Sequence, residues 1–459
     1  MLYQIDEVEK LSRSEIRKLY SEYVNPGLAS MLGLLNFDKN FIRAEGCYVW
    51  DSEGNKYIDF LGAYGALNLG HNPREVREAL NKVSSRPNLL QASLSTYAAV
   101  LGHNLSEVAP QGLKHCFFCN SGAEAVEGAL KAARAATGKH KIISCEGSFH
   151  GKTMGALSAT GRKKYQTPFS PLVPGFETAE YGNLDDLERK LKSKDVAAFI
   201  VEPIQGEGGI IIPPEGYLKG AGELCRRYEA LLIVDEIQTG FGRTGRMFAC
   251  EAEGITPDIM CVAKSLGGGI MPAGAFITTL EVWEKAFGGM EKCLLHTSTF
   301  GGNTMACAAG IASINAIVEN KLPERAGEMG RYMLDGLKVM KDRYSMIKDV
   351  RGRGLMVGIE FETAEKGLLN RITGGAVNKF YREFTGAMVA GELLNGHRII
   401  TAYTLNNPNV IRLEPPLIIT KEDIDYLLNA LEDIFSKNSD LFKLTFRTVK
   451  TVAGSLFSR

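Results

Sequence analysis

The chain has 459 residues, 45% hydrophobic and 23% charged, the balance of a globular protein with room for one large domain and a smaller one. Lys plus Arg and Asp plus Glu both number 53, so no overall charge draws the chain to nucleic acid or to an anionic membrane. Nine cysteines, set mostly in apolar runs (Cys116, Cys119, Cys145, Cys261), argue against a disulfide scaffold and for a reducing compartment.

The opening MLYQIDEVEKLSRSEIRK is too polar for a signal peptide, and no apolar run approaches the ~18 residues of a membrane span, so a cytoplasmic location is expected. The first forty residues read as polar helix with a break at Val24-Asn25-Pro26-Gly27. Gly46–Trp50 and Lys56–Phe60, joined by Ser52-Glu53-Gly54-Asn55, then predict a hairpin. From about residue 110 to 280, short apolar runs alternate with helix-periodic stretches: HCFFCN, KIISCEG, VAAFIVEPI, LLIVDEI, DIMCVAK and AGAFITT. Runs buried on both faces and separated by helices predict a mainly parallel sheet in an α/β layer structure. Beyond residue 330, Arg351-Gly352-Arg353-Gly354 opens a strand, LMVGIEF, and the rest reads as a smaller α+β domain.

Three motifs carry chemistry. Asn120-Ser121-Gly122-Ala123-Glu124 closes a strand and opens a helix with capping-box spacing. The free N–H groups of such a helix start suit a phosphate, although an ordinary helix cap has the same pattern. Leu231-Leu232-Ile233-Val234-Asp235 ends an apolar strand on a carboxylate, where open α/β sheets bind ligands. A protonated pyridine nitrogen would partner that acid, as would a metal, but no GxxxxGK[ST] loop accompanies it. Ile259-Met260-Cys261-Val262-Ala263-Lys264, followed by Gly267-Gly268-Gly269, places a lysine at the end of a buried strand. Desolvation there lowers the amine's pKa and makes it a nucleophile toward an aldehyde; a surface lysine at a strand end is the bland alternative. Ser148-Phe149-His150-Gly151-Lys152 brings an aromatic ring that could stack on a pyridine, and Glu202-Pro203-Ile204-Gln205-Gly206-Glu207-Gly208-Gly209 is a carboxylate-bearing glycine loop. Cys116 and Cys119 have zinc spacing without a second pair, so no metal is expected.

Taken in order, these motifs resemble the class III aminotransferases of fold-type I, over about residues 22 to 435. FFCNSG, FHGKTMGALSAT, EPIQGEGGIIIPPEGYL, RTGRMFACE and YTLNNPNVIRLEPPL are most similar to the putrescine enzymes within a group that includes the ornithine, acetylornithine and 4-aminobutyrate aminotransferases. The resemblance implies a large domain with a mainly parallel seven-stranded sheet over residues 66–335 and a small α+β domain over 336–459. The helix and hairpin of residues 1–65 would join the small domain. It implies pyridoxal 5'-phosphate held as a Schiff base on Lys264, with Asp235 on the pyridine nitrogen and Gln238 on the phenolic oxygen. Phe149 and Ile237 would cover the two ring faces, Ser121, Gly122 and Ala123 would bind the phosphate, and His150 and Glu202 would complete the cofactor site. Thr299 would reach the phosphate of a neighbouring subunit in a homodimer, or a tetramer built from it. Arg412 would bind a substrate carboxylate, Glu207 would replace that carboxylate when the site is empty, and Lys152 and Tyr64 would also face substrate.

The sequence departs from the pattern at several places. Ala123 stands where many relatives carry a hydroxyl, and Asn303-Thr304 replaces Asn-Pro. Lys152 stands where the ornithine and acetylornithine enzymes carry arginine, and residues 367–391 read as an insertion. The expected reaction moves the terminal amino group of a putrescine-like diamine to 2-oxoglutarate. Ornithine, acetylornithine or 4-aminobutyrate transamination, or a racemase on the same scaffold, are the alternatives.

Overall fold

A computed structural model of the chain describes residues 2–90, 92–362 and 376–437. The tail after Lys437 and residues 367–375 of the expected insertion lie outside the described residues. The break near residue 25 is a helix restart. The helix Arg13–Tyr23 ends, Asn25 accepts the Leu28 N–H, and Pro26 fills the first position of the helix Pro26–Leu34, where its missing N–H costs nothing. The strands β1 (Phe41–Glu45), β2 (Tyr48–Asp51) and β3 (Lys56–Asp59) form an antiparallel meander. Its turn is held by Asp51, whose Oδ1 accepts the backbone N–H groups of Glu53 and Asn55.

The central sheet has seven strands: β4 (Leu113–Cys119), β5 (Lys141–Cys145), β6 (Phe176–Ala179), β7 (Val196–Val201), β8 (Leu231–Asp235), β9 (Ile259–Val262) and β10 (Gly274–Thr279). Their order is β4-β10-β9-β8-β7-β5-β6, and β10 alone runs against its neighbours β4 and β9. Every residue of β7 and β9 is buried, as continuous apolar runs demand in a sheet covered on both faces. The strand missing from the six apolar runs is β6, whose Phe-Glu-Thr-Ala sequence suits an edge with only its last residue buried. Since β4, β5, β7, β8 and β9 point the same way, the residues that follow them gather along one rim of the sheet.

A further antiparallel sheet is built from β11 (Ile347–Arg353), β12 (Met356–Phe361), β14 (Ala402–Tyr403) and β15 (Val410–Leu413), in the order β11-β12-β15-β14. A short β13 (Ile399–Ile400) leaves it to pair in parallel with β3, tying the C-terminal residues to the N-terminal meander. Arg351-Gly352-Arg353 does not open the LMVGIEF strand, as the sequence reading expected; it closes β11. Gly354, at φ +54°, supplies the left-handed residue that turns the chain into β12.

Arg243 joins these parts. Its fully buried guanidinium donates to Leu355 O at 2.9 Å, Pro415 O at 2.5 Å and Asn68 Oδ1 at 2.6 Å, spanning the N-terminal, central and C-terminal segments. Burial pushes its pKa down to about 10, against the opposing pull of Glu414 and Asp59. Replacing Arg243 with Ala leaves three buried oxygens without donors, at roughly 1–3 kcal/mol each. Urea denaturation is expected to show a loss of about 3 kcal/mol or more.

Candidate active site

The rim formed by the strand ends is hollow. A cavity of about 580 Å³ lies there, lined from β4's end by Ser121, Gly122 and Ala123, from β5's by Phe149, His150 and Lys152, and from β7's by Glu202. The segment after β8 contributes Asp235, Ile237 and Gln238, and that after β9 contributes Lys264. Five separate strand ends thus place eleven of the sequence-predicted residues around one space.

Lys264 sits at φ +46°, a left-handed conformation costly for a side chain bearing a Cβ, and begins a short 3-10 turn that ends at Gly267. That geometry turns the side chain from the strand into the cavity. Among the described residues it makes no hydrogen bond or ion pair. Burial pushes its ammonium below the ordinary lysine range, and the nearby Arg412 charge adds to this, while Glu414, Glu207 and Asp235 oppose. An amine held this way is readily neutral and nucleophilic.

Asp235 is buried and braced. Its Oδ1 accepts the Ile237 N–H at 3.1 Å and its Oδ2 receives the His150 Nδ1–H at 2.7 Å. Burial alone would lower the His150 pKa; the hydrogen bond and charge of Asp235, with help from Glu202, raise it instead. Glu202 accepts Phe149 N–H at 2.9 Å and Gly206 N–H at 3.1 Å, fixing the aromatic ring's backbone. Its burial is the stronger influence and pushes its pKa up to about 7.

At the other end of the cavity Ser121 Oγ accepts the Glu124 N–H at 3.2 Å and caps the helix Gly122–Thr137. The reciprocal arm comes from Glu124 to Asn120 N–H at 2.6 Å rather than to Ser121, one residue earlier than a capping box would place it. Gly122 and Ala123, in the first turn, line the cavity, and their N–H groups have no intrahelical acceptor, which suits an anion. These donors, the braced carboxylate and the uncommitted lysine amine match a phosphate, a pyridinium nitrogen and an aldehyde. The residues present therefore fit pyridoxal phosphate.

Beyond the cavity, Arg412 on β15 is fully buried, with Nη2 at 2.5 Å from Glu207 Oε2 and Nη1 at 3.4 Å from Glu414 Oε2. Tyr64 lies with its ring centroid 5.1 Å from the guanidinium carbon. Glu207 also accepts the Leu405 N–H at 2.8 Å, so its carboxylate clasps the 404–408 loop. Lys152 leans on Tyr165, its Nζ 5.3 Å from the ring centroid. Gln238 donates through Nε2 to Glu414 Oε1 at 2.7 Å, and only a glycine at 206 leaves room for it, since a Cβ there would lie 2.2 Å from Gln238 Oε1.

Glu414 was missed in the sequence. The signal was present: in Arg412-Leu413-Glu414 the two charges stand two apart along a strand, on one face. Thr299 does not line the cavity; it stands in a surface hollow of about 690 Å³ shared with Leu94 and Leu294. Among the described residues no group of three or more His, Cys, Asp or Glu could hold a metal, and no helix is long and apolar enough to cross a membrane.

The class-III aminotransferase family matches residues 35–435. The ornithine aminotransferase of Toxoplasma gondii ME49 is 32% identical, with 94% of this chain and 98% of that one covered and a TM-score of 0.82. Another structure of the Toxoplasma enzyme is described with partial occupancy of PLP at the active site. The acetylornithine aminotransferase of Elizabethkingia anophelis is also 32% identical, covering 90% and 98% of the two chains, with a TM-score of 0.72. A thermostable omega transaminase engineered for asymmetric synthesis of enantiopure bulky amines is 26% identical, covering 95% and 100%, with a TM-score of 0.81.

The raised pKa of Glu202 makes stability depend on pH. Below the ordinary carboxyl range the group is neutral folded or unfolded; above about 7 the folded protein must bear a buried anion, so the contribution is lost as pH rises between these limits. Glu202→Gln does not titrate. The stability of the variant relative to the native protein is expected to improve by roughly 2–3 kcal/mol between about pH 5 and pH 8. Urea denaturation of both proteins at the two pH values measures it; a pH-independent difference would exclude a buried neutral acid.

Proposed function

Because the chain belongs to the class-III aminotransferases, and so is a pyridoxal-phosphate-dependent transaminase of fold-type I, we propose that it moves the terminal amino group of a short diamine such as putrescine to 2-oxoglutarate. The products are an aminoaldehyde and glutamate. The observation that carries this reading is the treatment of carboxylates. The cavity lining contains one lysine besides Lys264, Lys152, and no arginine, while the buried Arg412 is masked by Glu207. A donor without a carboxylate leaves that pair intact. An acceptor with a carboxylate beside its ketone displaces Glu207 and takes its place.

In this reading Lys264 holds the cofactor through Nζ, Asp235 faces the pyridine nitrogen with His150 behind it, and Phe149 and Ile237 enclose the ring. Ser121, Gly122 and Ala123 receive the phosphate. The Gln238 amide has two N–H groups, so one can serve the phenolic oxygen while the other stays on Glu414. Pyridoxal phosphate, when bound, supplies the electron sink that loosens a C–H bond next to the amine nitrogen. Lys264 would hold the group through Nζ and, once freed by the incoming amine, its Nζ would take that proton and give it back. Tyr64 packs over Arg412. Withdrawal of Glu207 would leave Arg412 without that partner, at a cost of roughly 3–5 kcal/mol if nothing replaced it. The swing therefore belongs to the half-reaction in which a substrate carboxylate arrives.

Thr299 acts across a homodimer in this reading. The support is the character of its surroundings: Leu89, Leu90, Leu94 and Leu294 line the same hollow and are all exposed, an apolar surface of the kind that marks an interface. Ornithine or 4-aminobutyrate as donor is the second reading, favoured by Lys152, which could pair with a carboxylate as a point charge.

Four experiments test these assignments. Holoenzyme mixed with putrescine and no keto acid is expected to convert its cofactor to pyridoxamine phosphate, faster than with ornithine or 4-aminobutyrate. A preference for the carboxylated donors overturns the diamine assignment, and cofactor left as pyridoxal phosphate by every amine points to a racemase. Lys264→Ala is expected to slow the reaction by about 10²–10⁴-fold or more and to abolish borohydride fixation of the cofactor. Sedimentation is expected to give a dimer, and Thr299→Ala to weaken cofactor binding about tenfold, the loss of one hydrogen bond to an anion.

A further inference from the structure

We propose that Glu414 is a specificity-determining residue, a fixed second counter-ion to Arg412 that biases the donor site toward amines whose far end is cationic. This rests on the diamine reading above and extends it to a residue outside the exchange between Glu207 and a substrate carboxylate. The two acids that flank Arg412 differ in kind. Glu207 stands in the glycine-rich stretch Gly206-Glu207-Gly208-Gly209, and its carboxylate is clasped by loop and guanidinium alone. Glu414 has no exposed surface. Its carboxylate spans Gln238 Nε2 at 2.7 Å and Arg412 Nη1 at 3.4 Å. Its backbone N–H donates to Phe60 O at 2.8 Å, and Gly62 packs against its carbonyl so closely that a Cβ there would lie 2.4 Å away. It has nowhere to swing.

Charge follows from this difference. With Glu207 in place, the buried Arg412 guanidinium faces two buried carboxylates, and the next buried guanidinium, Arg243, is shared between Glu414 and Asp59, so these five groups together carry one net negative charge. Lys152, at the cavity's edge, is exposed and screened by water. Glu414 also exerts the strongest favourable pull on a Lys264 cation, ahead of Glu207 and Asp235, so its field extends to the reacting nitrogen. A diamine brings a second ammonium into that field and is favoured. A donor that brings a carboxylate is opposed, and one that would bind Arg412 must share it with an acid that stays. When the acceptor arrives and Glu207 leaves, Arg412 keeps a partner. The swing is therefore less costly than for a lone buried arginine, and the acceptor's carboxylate is held less tightly.

Glu414→Gln preserves shape and an oxygen for the Gln238 amide while removing the charge. Two measurements on the holoenzyme read it. Calorimetric titration with glutarate, an inert analogue of 2-oxoglutarate, is expected to show binding tightened about tenfold in the variant. Single-turnover efficiency with putrescine relative to 4-aminobutyrate is expected to fall about tenfold. Unchanged glutarate affinity with equal losses for both donors would make Glu414 a mere support for Gln238 and overturn the proposal. If the native enzyme accepts no diamine, the donor reading fails, while the glutarate titration still decides whether Glu414 competes for Arg412. Should Glu414→Gln not fold, Glu414→Asp, which draws the charge back by one methylene, is expected to tighten glutarate by a smaller factor; no change there overturns the proposal as well.

Discussion

Charge taken out of water governs this protein. A lysine, an arginine and several acids stand in or against the rim of an apolar sheet, where none would persist without a partner or a chemical use. Asp235 is matched by His150, and Arg412 by Glu207 and Glu414. Lys264 alone lacks a partner among the described residues, and the same burial lowers its pKa. The fold thus leaves one amine uncommitted in a set of otherwise satisfied groups, and such an amine suits the aldehyde of the cofactor, as proposed above.

The parallel sheet makes such a set possible. Strands running the same way deliver their last residues to one rim, so a lysine, an aspartate, a glutamate and a capped helix start converge without any of them being near neighbours in sequence. Short-range devices then aim each one. Left-handed backbone turns Lys264 inward, Glu202 holds the amides of Phe149 and Gly206, and the absent side chain at Gly206 gives Gln238 its place. Arg243 ties the segments that flank this rim into one framework, through three hydrogen bonds that no shorter or uncharged side chain could make together.

Much of this was legible before any coordinates. Apolar runs of four to seven residues announced six strands, and a charge at the end of such a run announced a ligand-facing position. What escaped has definite reasons. The edge strand Phe176–Ala179 is half polar because only one side of it is covered. Arg351-Gly352-Arg353 belongs to the strand before the turn because Gly354, and not the glycine two residues earlier, takes the left-handed conformation. Glu414 went unread because the spacing of Arg412 and Glu414 places both on one face of a strand without showing that this face is buried.

Periodicity and strand-terminal charges in the sequence determined the α/β architecture and marked the capped helix start, the lysine and the aspartate that line one cavity. These depend on hydrophobic pattern and on the cost of burying charge, which a chain carries in its order of residues. Tertiary structure alone decided the partnerships: His150 with Asp235, 85 positions apart, and Gln238 with Glu414, 176 apart. Pairings of that kind depend on how the strands are ordered within the sheet and on how the C-terminal sheet folds back over its rim, and a linear pattern holds no record of either.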